Sequence, residues 1–306
     1  MYTVLVSDTI AREGIEILQR TMQVEVNDKI TGAELLHAIP NYDALIVRSR
    51  TKVTAPIIDA GARLKVIGRA GVGLDNIDVD AAKQKNIAVV NSVTGATNAV
   101  AEHTIGMMLA LARFIPQSDA SLKRGEWAKN KYMGVELAGK TLGLVGIGRI
   151  GSVVALRAGA FGMRVIAVDP YVTPARAQEI GVTLLDSLDA VLAQSDFISI
   201  HTPLMPSTRG LIGADQFSQM KDGARLVFCA RGGVVDETAL LDALKQARIA
   251  GAALDVFENE PPGANPLLDH PRVVVTPHLG AMTEEAQTKA AVDVAEQVVA
   301  ILNGTG

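Results

Sequence analysis

The strongest constraint on what this chain can fold into is an unbroken succession of strand, glycine-rich turn, helix and second strand. Thr141–Val145 is a β-branched and leucine run, followed by Gly146, Ile147, Gly148, Arg149, Ile150 and Gly151. An alanine- and glycine-rich helical stretch comes next, then an apolar strand, Val165–Val168, with Asp169 directly behind it. This is the pattern of a dinucleotide-binding βαβ unit. Gly146 permits the tight turn, Gly148 lets the backbone approach a pyrophosphate, and Gly151 lets the helix pack against the strand. The helix N-terminus offers N–H groups and a positive dipole end to the anion. Asp169 stands where a carboxylate accepts hydrogen bonds from the adenosine ribose hydroxyls. It would repel a 2′-phosphate, and Pro170 and Tyr171 bring no compensating cation. NAD is expected over NADP.

The 306 residues suit about two domains. The net charge of −4 comes from mixed signs with no long basic run, which argues against nucleic acid or an anionic membrane as partner. The opening MYTVLVSD reads as a strand rather than a leader peptide, and the apolar stretch Ile105–Ala112 is too short to span a bilayer. Cys229 is the single cysteine, so no intrachain disulfide forms and a cytoplasmic setting fits best. It follows Leu226, Val227 and Phe228, so a small core residue is the better reading than a redox switch. No metal is expected.

Ahead of the glycine turn, short buried strands at Val4–Ser7, Val24–Val26, Ala44–Val47, Val66–Ile67 and Ala88–Val90 alternate with helical patterns at Gly14–Arg20, Ala33–Ala38 and Pro56–Ala60. Alternation of this kind predicts a parallel α/β sheet. Asn98–Arg113 reads as one long helix, and residues 117–139 as polar and irregular. Beyond the glycine turn, further strands fall at Phe197–Ile200, Arg225–Phe228, Gly251–Asp255 and Val273–Thr276, with a closing helix at about Thr283–Leu302. The nucleotide unit is therefore not N-terminal. A discontinuous arrangement is expected, with residues 1–97 and 283–306 forming one domain around an inserted domain of residues 98–282.

Three polar residues stand just beyond strands of the second unit: Arg231 in CARGGVVDE, Glu260 in DVFENEPP and His278 in TPHLGA. In an open parallel sheet they would converge on the crevice at the strands' carboxyl ends. Arg231 suits a bidentate clamp on a carboxylate, His278 proton exchange near neutral pH, and Glu260 orientation of the imidazole. Taken singly, each also has a bland reading, as a turn cap, a solvated acid or a satisfied core histidine. A basic group of Arg48, Arg50, Lys52 and Arg69, with Lys129 and Lys131 near Trp127, suits a phosphate-bearing substrate or forms a solvated rim.

Eight blocks resemble the D-2-hydroxyacid dehydrogenase family over essentially the whole chain. They are VRSRTKVT, GRAGVGLDNID, AVAEHT, GKTLGLVGIGRIG, HTPLMPSTRGLI, ARGGVVDE, ALDVFENEPP and TPHLGA. The resemblance implies two Rossmann-like or flavodoxin-like doubly wound parallel-sheet domains with an active-site cleft between them. It implies an Arg231/Glu260/His278 triad, with His278 as acid/base, Glu260 tuning it and Arg231 holding the substrate carboxylate and keto oxygen. Cofactor contacts are implied at Gly146, Gly148, Arg149, Ile150, Gly151, Asp169, Thr202, Ala230, Asp255 and Gly280. Substrate contacts are implied at Arg48, Ser49, Arg69 and Gly73, with a basic group such as Lys129 reaching in from a partner subunit of a homodimer.

Within the family the resemblance is strongest to the branch that oxidises D-3-phosphoglycerate at the entry to serine synthesis. Reduction of glyoxylate or hydroxypyruvate, and a non-catalytic NAD(H)-sensing scaffold, are the alternatives. Ala96 departs from the asparagine many members carry there, which bears on the choice of acid. The chain ends at Gly306 without the serine-binding regulatory domain of longer members, so feedback control by that route is not expected. The Asn98–Arg113 helix, with Met107, Met108 and Leu111, is a core element by periodicity and a dimerisation element by resemblance.

Overall fold

A computed structural model describes residues 1–304. The chain divides into two compact units, Met1–Thr97 with the segment from Ala281 onward, and Asn98–Gly280. The second crossing falls between Gly280 and Ala281, rather than after residue 282.

The first unit carries strands β1 (Thr3–Val6), β2 (Gln23–Val26), β3 (Ala44–Val47), β4 (Val66–Arg69) and β5 (Ala88–Asn91), with helices α1 (Arg12–Gln19), α2 (Gly32–Ala38), α3 (Ala55–Ala60) and α4 (Val79–Gln84) between them. All strands run parallel in the order β2-β1-β3-β4-β5. The strand order reverses direction at β1/β3, the switch point at which such sheets leave an open crevice. Central strands such as Ala44–Val47 are buried on both faces, as helix-covered parallel strands must be. One face packs against Leu35, Ile39, Ile57 and Ile58; the other packs against Leu18, Val294, Ala295 and Val298. The last three lie on the chain's closing helix, Glu284–Leu302, which Thr283 caps by accepting from Ala286 N–H at 3.1 Å.

The second unit opens with α5 (Thr97–Arg113) and α6 (Ile115–Lys123). Its strands are β6 (Thr141–Val145), β7 (Arg164–Val168), β8 (Thr183–Leu184), β9 (Phe197–Ile200), β10 (Arg225–Phe228), β11 (Gly251–Leu254) and β12 (Val273–Val275), with α7 (Arg149–Ala160) following the glycine turn. They form one parallel sheet in the order β12-β11-β10-β9-β6-β7-β8. Its switch point is β6/β9. The core gathers Ile198, Ile200, Phe217, Leu226, Leu240 and Leu254.

One sequence reading is corrected here and another is met. Residues 117–139 are not wholly irregular, because α6 runs to Lys123 and a 3₁₀ turn spans Lys129–Tyr132. Pro116 lies in the first turn of α6, where its missing N–H costs nothing, and Phe114 breaks the preceding helix in a left-handed conformation (φ 53°). Met107, Met108 and Leu111 of α5 are each buried within the chain itself, as the periodicity of that helix predicts for core residues.

Candidate active site

In the second unit the glycine turn sits at the β6/β9 switch point. Gly151 is held so close to the turn that an added Cβ would lie 2.3 Å from Gly146 O, so no larger residue fits. Gly148 is the N-cap of α7 and no side chain caps that end, which leaves first-turn N–H groups for an anion. A Cβ built at Gly148 would meet nothing within 4 Å, as a backbone facing an open cradle should. Asp169 lies at the end of β7 and accepts from Ile147 N–H and Tyr171 N–H, both at 2.9 Å, so its carboxylate is fixed against the turn. Thr202, just past β9, has a buried hydroxyl without a hydrogen-bond partner. A buried orphan hydroxyl, a bare helix end and an anchored acid form a donor and acceptor set that fits a dinucleotide. Arg149 is exposed and Ile150 partly buried on the first turn of α7, beside that cradle.

The three polar candidates occupy loops after adjacent strands β10, β11 and β12. His278 Nδ1 lies 2.7 Å from Glu260 Oε2, with the two side chains 47% and 39% exposed. Glu260 also accepts from Phe257 N–H at 3.2 Å through its other oxygen. Burial works to raise the Glu260 carboxyl, but the hydrogen bond and charge of His278 and the Phe257 N–H outweigh it and hold the group below its ordinary value. An ionised carboxylate only accepts, so His278 Nδ1 carries a proton, and in the neutral ring Nε2 is the nitrogen left to accept one. His278 itself is left-handed (φ 54°), an uncommon conformation for a residue with a side chain.

Arg231 donates to Ala230 O at 2.8 Å from one guanidinium nitrogen. Its loop is pressed onto the neighbouring one at Gly232, where an added Cβ would fall 1.8 Å from Phe257 O. The triad loops are thus locked together through Gly232, Phe257 and Glu260. Asp255, which the resemblance places at the cofactor, is tied into the protein by its own hydrogen bonds. It is 1% exposed and accepts from Thr276 Oγ1 (2.6 Å), Leu279 N–H (2.7 Å) and Gly280 N–H (2.9 Å), which makes it an anchor for the His278 loop. A cavity of about 440 Å³ lies beside the dyad, lined by Phe257, Pro261, Leu268, Val275 and His278 among others.

In the first unit, Arg48 and Arg69 stand at the ends of neighbouring strands, since Val47 is in register with Arg69. Arg48 touches Met282 Sδ through its guanidinium, and burial lowers its pKa while the nearby Asp8 partly offsets that. Arg69 is partly buried and Ser49 exposed, while Gly73 lies on the loop after β4. Arg50 is held within its own loop region: it donates to Ile30 O (2.9 Å) and Ser7 O and pairs with Asp8 at 3.2 Å. Lys129 is exposed on its 3₁₀ turn. Ala96 is 5% exposed and turned into the interior.

Sequence reasoning passed over Asp8. It is 2% exposed at the end of β1 and accepts from Arg48 N–H (2.6 Å), Thr51 N–H (3.1 Å) and Thr51 Oγ1 (2.6 Å), so it shapes the Arg48–Thr51 loop. The one available signal was its place directly after the first strand, at a sheet's carboxyl end.

Residues 105–280 match the family described as D-isomer specific 2-hydroxyacid dehydrogenase, NAD binding domain. The chain is 52% identical over 304 residues to a D-3-phosphoglycerate dehydrogenase of Methanocaldococcus jannaschii, and 48% identical over 304 residues to one of Bacillus subtilis. Each match takes in 99% of this chain and 58% of the relative. The chain therefore spans little more than half the length of these curated relatives. Among solved structures it resembles the TT0316 protein of Thermus thermophilus (TM-score 0.91, 36% identity, 99% of this chain and 97% of that one). It also resembles a glyoxylate reductase of Paecilomyes thermophila (TM-score 0.89, 33% identity, 99% and 96%). With its glycine turn, anchored acid and His–Glu pair on an NAD-binding domain, the chain belongs to the D-isomer specific 2-hydroxyacid dehydrogenase family.

Proposed function

We propose that this protein oxidises D-3-phosphoglycerate to 3-phosphohydroxypyruvate with NAD⁺, the first step of phosphorylated serine synthesis. The observation that carries the reaction is the 2.7 Å contact between His278 Nδ1 and Glu260 Oε2. It leaves His278 Nε2 as the atom that takes the C2 hydroxyl proton, and the developing imidazolium is stabilised by the Glu260 carboxylate. Arg231 holds the substrate carboxylate and stabilises charge growing on the C2 oxygen. The glycine turn Gly146–Gly151, Asp169 and Thr202 would hold NAD⁺, which when bound would supply the acceptor for the C2 hydride. The carboxylate of Asp169 favours NAD over its 2′-phosphorylated form.

The phosphate is assigned to Arg48 and Arg69, with Ser49 and Gly73 on the same loops. The identity of about half the residues to named D-3-phosphoglycerate dehydrogenases supports that choice of acid. Glyoxylate or hydroxypyruvate reduction is the second reading, favoured by the resemblance to a glyoxylate reductase structure. A cytoplasmic homodimer is part of the proposal. Trp127 (81% exposed), Met133 (84%) and Leu122 (57%) give the segment from α6 onward an apolar surface suited to a second copy, with Lys129 beside it. Among the described residues no helix is long and apolar enough to cross a membrane.

The test is NADH formation from D-3-phosphoglycerate with the keto product trapped, run beside NADH consumption on glyoxylate and hydroxypyruvate. Preference for the phosphorylated acid is expected. Preference for the small keto acids would move the chain to the second reading, and NADH binding with no turnover of any of them would defeat the catalytic one.

A further inference from the structure

His103 belongs to none of the roles above, yet it lies directly behind the His278 loop. It sits on α5, and its Nε2 is 3.0 Å from Thr276 Oγ1 and 3.2 Å from Asp255 Oδ1. The hydroxyl of Thr276 has one proton, and the 2.6 Å contact to Asp255 Oδ1 takes it. Burial would raise the Asp255 carboxyl, but hydrogen bonds from His103, Thr276, Leu279 N–H and Gly280 N–H prevail and hold it below the ordinary carboxylate range. Asp255 is therefore a pure acceptor, and Thr276 Oγ1 must accept whatever approaches it second. Both neighbours of His103 Nε2 being acceptors, that nitrogen carries the proton.

The same aspartate gathers three consecutive backbone N–H groups of the His278 loop. His278 N–H donates to Asp255 O at 2.9 Å, and Leu279 and Gly280 N–H donate to the carboxylate. A left-handed histidine persists only where its surroundings over-determine it. The surroundings here are Asp255, Thr276 and, one bond further out, His103.

We propose that His103 is a positioning residue for the proposed dehydrogenase reaction: its Nε2–H fixes the Thr276 hydroxyl and the Asp255 carboxylate, and through them the left-handed His278 that presents its own Nε2 to the substrate. This rests on the catalytic reading above. His103 touches neither substrate nor reacting atoms; it acts through the loop. Its role asks only for a neutral N–H donor at that point, so glutamine should replace it and leucine should not.

Two measurements test this. Long-range ¹H–¹⁵N spectra of the histidine-labelled protein without cofactor should show His103 as the Nε2–H tautomer; an Nδ1–H tautomer overturns the proposal. Steady-state kinetics of His103→Leu and His103→Gln give the second. The leucine variant should lose kcat about tenfold or more, with NADH affinity and thermal midpoint close to wild type, and the glutamine variant should recover most of that loss. Unchanged kcat in His103→Leu overturns the proposal, as does a glutamine variant that keeps its thermal midpoint but is no faster than leucine. If leucine prevents folding, the tautomer and the glutamine variant decide. A wild-type protein that turns over no 2-hydroxy acid would instead defeat the catalytic reading, and the tautomer measurement would still stand by itself.

Discussion

The two sheets leave their crevices at equivalent places, β1/β3 in the first unit and β6/β9 in the second, but they furnish them differently. At β6/β9 the lining is backbone: a glycine turn, a helix end without a side-chain cap, and one aspartate tied to Ile147 and Tyr171 N–H. At β1/β3 the lining is side chain. There Asp8 bends the Arg48–Thr51 loop, Asn76 Nδ2 donates to Arg48 O (3.1 Å) and Thr51 O (2.7 Å), and Arg48 and Arg69 remain at the strand ends. The backbone cradle has no room for an added atom at Gly151, whereas a cradle of long side chains is adjusted residue by residue. The first suits an invariant ligand such as a pyrophosphate. The second suits the phosphate-bearing tail of the proposed substrate.

That contrast is broken or sharpened by substitution. The largest effect is expected at His278→Gln: turnover should fall by about 10²–10⁴-fold with NADH affinity little changed, as removal of a general acid/base requires. Steady-state kinetics beside a fluorescence titration of NADH checks it, and retained turnover would move the proton to another group. Next comes Gly151→Val, which places atoms on Gly146 O and should abolish NADH binding in the same titration. A variant that binds NADH normally would mean the turn yields more than its spacing allows. Asp169→Ala should follow, weakening NAD and narrowing its preference over NADP, read as the ratio of kcat/KM for the two cofactors; an unchanged ratio would remove the ribose assignment.

The smallest effect concerns pH. Glu260 is held below its ordinary value of 4.5, so its stabilising contribution is complete above that value and lost as pH falls through the lower folded one. The group is 39% exposed, so the effect is modest. Urea midpoints followed downward from pH 6 should fall less steeply in Glu260→Gln than in wild type.

Much of the fold was legible because parallel strands under helices are short apolar runs with sharp ends. Ala44–Val47, Phe197–Ile200 and Arg225–Phe228 have the same limits in sequence and structure. The two-residue strand Thr183–Leu184 has too little apolar signal to stand out, and α6 was hidden by Pro116, which reads as a breaker unless it falls in a first turn. Motifs whose chemistry is local, such as the glycine turn, are visible along the chain. Asp8 and His103 were not, because their partners lie far away in sequence: Thr51 for the one, Asp255 and Thr276 for the other. Arg50 shows the reverse case. It counts as a substrate cation in a list of charges, and the structure ties it to Ser7, Asp8 and Ile30.

The proposed division of labour gives the phosphate to the first unit's cations and the proton to the second unit's dyad. It is tested most directly by the ratio of kcat/KM for D-3-phosphoglycerate to that for an unphosphorylated 2-hydroxy acid, measured in wild type, Arg69→Ala and His278→Gln. The account predicts that His278→Gln lowers both constants and leaves the ratio standing, while Arg69→Ala collapses the ratio through KM for the phosphorylated acid. Equal losses on both acids in Arg69→Ala would contradict it and move the phosphate away from β3 and β4.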